Sequence, residues 1–228
     1  MKRLVMMSLL VLAGLFAQAQ YTFLANNCSG QYNVKVFVAS CEGGNCGGKA
    51  TLVLSDKITG KEIEPFHSLD LDFNLTDKQN ARLGWVELGK YQSPLIFGDF
   101  NFDGFEDMAI RNGNNGAYSS PSFDVYLGSA NQKFTLNPEF TKLASENLGM
   151  FEVDRKTKEL TIHLKSGCCY QQRITYKVTT KDIPSEVSSV IEDSSIGDDV
   201  TVITRKLVDG KMQKKVEKFK AKEYYIEQ

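Results

Sequence analysis

Between Gly98 and Asp107 the chain sets oxygen-bearing side chains at alternate positions: Asp99, Asn101 and Asp103, then Gly104, and three residues later Asp107. With Asp99 as position 1, the oxygens fall at 1, 3, 5 and 9 and the glycine at 6, as in the opening of an EF-hand calcium loop. Calcium takes six to eight hard oxygen ligands at about 2.3–2.6 Å in a flexible shell, and alternate residues of a tightly curled loop can turn inward together. Gly104 would supply the sharp turn, Phe105 at position 7 its backbone carbonyl, and Asp107 would close the shell. The expected metal ligands are therefore Asp99, Asn101, Asp103, Phe105 and Asp107, and the expected cofactor is Ca2+. Mg2+ suits the set less, because it keeps several waters in a strict octahedron.

Two features separate this loop from an EF-hand. Position 12 is Ile110 rather than a bidentate Glu, and the flanks Pro94–Phe97 and Met108–Ile110 are short and apolar rather than helical. The expectation is an ion that pins two strands, not a sensor that opens on binding. Asp70-Leu71-Asp72-Phe73-Asn74 alternates similarly but lacks the glycine, and reads as the polar face of a strand; Glu192-Asp193 and Asp198-Asp199 read as solvated loop charges. His67 and His163 fall at surface positions with no Ser or Cys nucleophile motif beside them. Two carboxylates of the loop could in principle form an acid/base pair for glycan hydrolysis. Their ligand spacing accounts for them better as calcium oxygens, so no catalytic residue is assigned and a non-enzymatic protein is expected.

The elements that must position the loop are strands. Tyr32, Val34, Val36 and Val38 alternate with polar residues, as do Phe123, Val125 and Leu127, then Leu160, Ile162 and Leu164, then Ile174, Tyr176 and Val178. Period-2 runs of this kind bury one face and wet the other. Turn-forming clusters divide them at Asp56–Lys61, Asp154–Lys158 and Val208–Lys211, the last carrying an Asp-Gly pair that favours a two-residue hairpin. About nine to eleven strands at hairpin spacing predict an all-β fold, an antiparallel β-sandwich or barrel-like sheet with an inter-strand calcium loop. Thr76–Gly89 is the best internal helix candidate. Lys214–Tyr225 has helix-friendly composition, but the turn before it favours a strand. No Pro-, Gly- or Ser-rich linker interrupts residues 20–228, which read as a single β-rich domain without internal repeats; the Cys-rich portion 20–50 could form a separate lobe.

The first nineteen residues are of another kind. Lys2 and Arg3 precede an apolar run from Leu4 to Phe16 and the small-x-small triplet Ala17-Gln18-Ala19, the pattern of a secretory signal cleaved near Ala19. The apolar run is short for a membrane span, which needs roughly 20 residues, and no later stretch is long enough. The expected location is periplasmic or secreted. The formal net charge is −1, and no basic cluster interleaves with aromatics, which argues against nucleic acid as a partner.

Export also makes disulfides plausible. Five cysteines leave at least one over or paired between chains. Cys41-Glu-Gly-Gly-Asn-Cys46 can close a small loop. Adjacent Cys168 and Cys169 are expected not to bond each other, because that needs a strained peptide geometry, and a bridge from one of them to the N-terminal cysteines is preferred. A metal-thiolate site finds no support in spacing or in a nearby His.

The loop resembles those of FG-GAP or VCBS repeats, Gly-Asp-Phe-Asn-x-Asp-Gly-x-x-Asp, although there the unit recurs once per propeller blade and here it occurs once. A second resemblance covers most of residues 50–205. It runs through the strand–turn–strand Thr51–Phe66, the loop Gly98–Asp107, the segment Asn112–Tyr126, Phe134 and Leu143, the hairpin Phe151–Leu164, and Ser166-Gly167-Cys168-Cys169-Tyr170 leading into Thr175–Val178. In these parts the chain resembles small exported bacterial proteins that include calcium-binding inhibitors of peptidoglycan hydrolases, immunity partners similar in shape to periplasmic lysozyme inhibitors. The resemblance implies a β-rich fold, calcium, no catalysis and a protein partner, a peptidoglycan hydrolase. A calcium-dependent adhesion or glycan-binding module is the alternative, and a hydrolase the third. Tyr118–Ser122 and Gly167–Gln172 are polar, aromatic-bearing loops of the kind that carry recognition on a β scaffold.

Overall fold

The structure is a computed structural model that describes residues 21–25, 28–63, 65–74, 84–85 and 93–225. The leader 1–19 and all of the helix candidate Thr76–Gly89 except Gly84–Trp85 lie outside the described residues. Those two residues are a strand.

Fifteen strands among the described residues form three sheets. The first contains β1 (Tyr21–Ala25), β2 (Tyr32–Glu42), β3 (Asn45–Asp56) and β4 (Phe66–Asn74) in sequential antiparallel order. The second holds β5 (Gly84–Trp85), β6 (Leu95–Gly98), β7 (Asp107–Arg111), β8 (Phe123–Leu127) and β9 (Thr135–Leu136), antiparallel apart from the parallel β5–β6 pair. Helix α1 (Pro138–Ser145) follows. The third sheet runs β10 (Glu152–Asp154), β11 (Glu159–Ser166), β12 (Tyr170–Val178), β13 (Pro184–Asp193), β14 (Asp199–Val208) and β15 (Lys211–Lys220), closed off by the short α2 (Ala221–Tyr224). The fold is all-β and sandwich-like, and none of the three sheets closes into a barrel among the described residues.

Alternation explains the outer sheets. In β2, Tyr32, Val34, Val36 and Val38 are buried while Lys35 is exposed. Strands β6 and β7 of the middle sheet obey a different rule, for every residue of β6 and all of β7 but Arg111 are buried. Leu95 and Phe97 pack with Met108 and Ile110 of β7 into a core shared with the first sheet, through Val34, Val36, Leu52 and Leu54. Ile96 and Ala109 face the other way, into a core with Phe123, Val125, Phe140 of α1, Phe151, and Leu160 and Ile162 of the third sheet. A sheet covered on both faces reads as a continuous apolar run rather than as alternation. That is why Leu95-Ile96-Phe97 and Met108-Ala109-Ile110 do not show period 2.

Helix α1 was not expected, yet its start is well specified. Asn137 is the N-cap and its side chain accepts from the N–H groups of Glu139 and Phe140, with Pro138 in the first turn. Its Thr141 hydroxyl accepts from the Val125 N–H, which satisfies an edge donor of β8. At the far end of the chain, Asp209 and Gly210 form the expected two-residue turn with φ of 49° and 74°, and Val208 pairs with Lys211. The tail strand β15 runs through most of the segment with helix-friendly composition, and only Ala221–Tyr224 is helical.

The cysteines correct one expectation. Cys41 bonds Cys46 across the β2–β3 turn, as the glycines between them allow. Cys168 bonds Cys169, and neither reaches the N-terminal cysteines. The fifth, Cys28, is a buried thiol, and burial pushes it up to about 12. It should therefore resist alkylation in the native protein at pH 8 and react only on unfolding.

The second core rests on three phenylalanines. Phe151 meets Phe100 edge-to-face at 5.5 Å and Phe140 at 5.9 Å, and all three are fully buried. Phe151→Ala is expected to cost about 3–5 kcal/mol in urea unfolding. A cost under about 1 kcal/mol would mean that this core does not hold the middle and third sheets together.

Candidate functional site

The loop of acids joins β6 to β7, between strands as expected. Two aromatic side chains seat it. Phe100 is buried in the second core, and Phe102, at φ 64°, packs against the same core. Gly104 takes φ 92°, the left-handed turn for which glycine is suited. Between these anchors the polar side chains curl over the loop backbone. Asp99 accepts from the N–H groups of Asp103 and Gly104, each at 3.1 Å, and Asn101 Oδ1 accepts from Asp103 N–H at 3.2 Å. Asp103 accepts from Phe105 N–H at 2.8 Å and from the Asn101 amide at 2.9 Å. Phe105 lies partly exposed at the loop's outer edge.

Asp107 is placed differently from the other acids. It is fully buried, and its two oxygens receive the Phe100 N–H at 2.6 Å and the Gly128 N–H at 2.8 Å. It thereby ties the start of the loop to the end of β8. Gly128 is needed there, since a Cβ would stand 2.2 Å from the Glu106 carbonyl oxygen. The neighbouring Glu106 fastens the loop to the N-terminal sheet: it accepts from the Ser29 hydroxyl and, at 3.1 Å, from Gly30 N–H.

The donor chemistry of Asp99, Asn101, Asp103 and Asp107 is all hard oxygen, which suits a calcium ion. Among the described residues no three His, Cys, Asp or Glu side chains converge into a metal cluster as they stand. The loop acids are instead held by backbone N–H groups and by one another. One further acid that the spacing did not reveal reaches the loop. Asp182, at φ 55° in the turn between β12 and β13, accepts from the Asn101 amide at 3.0 Å, and its backbone carbonyl accepts from the Asn137 amide. Its separation of 81 residues from Asn101 left no local signal.

Other candidate residues are dispersed. His67 lies exposed beside the Thr51 hydroxyl, and His163 lies exposed, paired with Glu152 at 3.2 Å. Asp70-Leu71-Asp72-Phe73-Asn74 belongs to β4, with Leu71 and Phe73 buried and Asp72 paired with Arg111 at 3.0 Å, as a strand with a polar face requires.

The two polar loops singled out as recognition segments meet. The turn of the β11–β12 hairpin is Gly167-Cys168-Cys169, bounded by the Ser166–Tyr170 pair. Gly167 and Cys168 are exposed. Gly167 N–H donates to the Tyr118 hydroxyl, and Cys169 carbonyl accepts from Ser194 N–H at 2.8 Å. Tyr118 and Ser119 both hold positive φ, 56° and 57°, and the Ser120 hydroxyl locks their loop to the Asn147 carbonyl at 2.8 Å. Non-glycine residues in the left-handed region persist only where the surroundings over-determine them. Below the tip an open groove of about 490 Å3 is lined by apolar Leu148, Leu164 and Val190 and by His163, Lys165 and Arg173.

No family model matches the chain, and no curated protein matches it. Among solved structures, one described as "Structure of a Xanthomonas Type IV Secretion System related protein" superposes with a TM-score of 0.66 at 22% identity, over 89% of this chain and 96% of that one. At that identity the likeness is one of fold. It extends over nearly the whole of both chains. No helix of the described residues is long and apolar enough to cross a membrane.

Burial pushes the Asp107 carboxyl up to about 7, against the pull of the Gly128 and Phe100 N–H groups. A folded value above the unfolded one stabilises the protein at low pH. The contribution is complete below the ordinary carboxylate range near 4 and is lost as the pH rises through about 7. In chelator, the unfolding free energy should therefore fall between pH 4 and 7, and the fall should be shallower in Asp107→Asn. Parallel pH profiles of the two proteins would show that Asp107 ionises in the fold as freely as in the unfolded chain.

Proposed function

We propose that this is a calcium-binding protein of the bacterial envelope, exported with cleavage after Ala19, that binds and inhibits a peptidoglycan hydrolase. The observation that carries this reading is the β11–β12 tip. It is exposed, cross-linked within itself, and hydrogen-bonded on both flanks, by Tyr118 and by Ser194. A convex loop fixed before binding loses little entropy when it enters a cleft, which is what an inhibitor of a concave active site requires. The likeness in fold to a protein described as related to a type IV secretion system supports an exported setting. The calcium ion would be held by Asp99, Asn101 and Asp103 with the Phe105 carbonyl and Asp107, and its part is structural.

Inhibition is tested by turbidity of a peptidoglycan suspension digested by a panel of muramidases, transglycosylases and amidases in calcium buffer. Residues 20–228 should slow at least one of them. Tyr118→Phe removes the acceptor for Gly167 N–H and should weaken that inhibition about 2–10-fold, the worth of one hydrogen bond. Full rates across the panel would sink the reading.

Calcium is tested by thermal unfolding. Calcium at 100 times its dissociation constant should stabilise the wild type by about 2.7 kcal/mol. Asp103→Ala, which also gives up the acceptor for the Phe105 N–H, should melt slightly below the wild type in chelator and much further below it in calcium. An equal gap in chelator and in calcium would remove the metal from the loop.

The groove below the tip favours a second reading, a calcium-dependent glycan-binding module, because Lys165 and Arg173 have no ion-pair partner among the described residues. Glycan-array binding that chelator abolishes, with every hydrolase unaffected, would select it.

A further inference from the structure

The Cys168–Cys169 bond cross-links no distant parts of the chain. A disulfide stabilises a fold mainly by closing a loop in the unfolded state, and its effect shrinks with the length of that loop. Here no residue lies between the two cysteines, so the constraint on the unfolded chain is minimal. What the bond does is confined to the tip. It closes a small ring around one peptide unit, between Gly167, fixed by the Tyr118 hydroxyl, and the Cys169 carbonyl, fixed by Ser194. The other disulfide is placed for a structural role, since it links paired strands β2 and β3 and its Cys46 is almost wholly buried in the first core.

Exposure separates them chemically. Thiol–disulfide exchange needs a thiolate to approach one sulfur along the S–S axis, and exposed bonds are the labile ones. Cys168 is exposed at the end of a hairpin. We propose that Cys168–Cys169 is a thiol–disulfide exchange site, opened by a dithiol reductant, which sets whether the β11–β12 tip is held in one shape.

A thiolate of the reductant attacks Cys168 Sγ, the S–S bond breaks, and Cys169 leaves as a thiolate that takes up a proton. The reductant's second thiol, losing its proton, then attacks its own sulfur in the mixed disulfide. Cys168 leaves and is protonated, and the reductant departs as a disulfide. The protein gains two electrons and two protons. A monothiol fares worse: in its mixed disulfide with Cys168, the adjacent Cys169 is the nearest nucleophile and re-forms the ring. Adjacency therefore selects dithiols. With Gly167 before it and the ring open, the tip recovers backbone freedom while the sheet beneath is unchanged.

The exchange chemistry stands without the hydrolase reading; only its consequence for a partner rests on that reading. The experiment treats residues 20–228 under native conditions with dithiothreitol or, separately, with glutathione at the same redox poise, alkylates with iodoacetamide, and maps adducts by peptide mass spectrometry. Dithiothreitol should label Cys168 and Cys169 together, with Cys28, Cys41 and Cys46 unlabelled. Glutathione should open the ring at least about tenfold more slowly. Amide exchange across 166–170 should accelerate about tenfold or more while the melting temperature holds. A double variant, Cys168→Ser with Cys169→Ser, should show the same fast exchange without reductant. Failure of dithiothreitol to label the pair, labelling only together with Cys41 and Cys46, or a tip whose amide exchange ignores reduction would each overturn the proposal. A tip that opens while inhibition of a responsive hydrolase stays constant would overturn the tip as the inhibitory element and leave the exchange site standing.

Discussion

Strands β6 and β7 bury side chains on both faces, and that double burial governs the arrangement of the other elements. Leu95, Phe97, Met108 and Ile110 complete the core of the N-terminal sheet, while Ile96 and Ala109 complete the core beneath α1 and the third sheet. Neither strand has a wet face, so register rests on shape: a one-residue slip would exchange side chains between two closely packed cores whose volumes they do not fit. The connection between the two strands inherits that fixity. A loop that leaves Gly98 and returns at Asp107 has both ends held, and its acids are gathered by the strand register rather than by their own attraction.

Holding acids together has a cost, and the buried Asp107 carries most of it. Its carboxylate is taken from water entirely, and the Phe100 and Gly128 N–H groups satisfy it only in part. A buried carboxylate resists ionisation unless further positive charge is supplied. Backbone N–H groups and the Asn101 amide neutralise the remaining loop acids in part. Glu106 and Asp182 carry the same loop outward, one to Ser29 and Gly30 in the N-terminal segment, the other to the β12–β13 turn. One ten-residue segment therefore touches all three sheets. A cation bound as proposed would therefore act on the whole assembly.

Much of this is legible in the sequence. Alternation located β2, β8, β11 and β12, the Asp209-Gly210 pair located a hairpin, and the acid spacing located an inter-strand loop. What failed to show has identifiable physical reasons. Leu95–Phe97 carries no period because both faces are dry. Helix α1 has a sound start at Asn137-Pro138 but spans only eight residues, too few for a helical period to stand out. Asp182 and Glu106 act over 81 and 77 residues, beyond any local pattern. The bond between adjacent cysteines departs from the sequence expectation because a general conformational penalty depends on its setting. In a three-residue hairpin turn led by Gly167 at φ 64°, with hydrogen bonds on either flank, that penalty can be met locally.

The two ends of β12 then divide the work. Its first residue, Tyr170, adjoins the cross-linked tip, and beyond its last, Val178, comes the turn whose Asp182 meets the acidic loop. Nine residues of strand span roughly 30 Å. An ion at the loop is thus too far away to touch anything seated on the tip, and a partner at the tip cannot contribute a ligand to the ion. Coupling between them would have to pass through the strand itself, and a hydrogen-bonded strand in the middle of a six-stranded sheet transmits little except its own rigidity. The loop thus acts on the tip only by holding the scaffold still, while the disulfide and Tyr118 set the tip's own shape. Emptying the proposed calcium site would lower the stability of the whole, whereas opening the disulfide would loosen one hairpin and leave the stability of the rest nearly untouched.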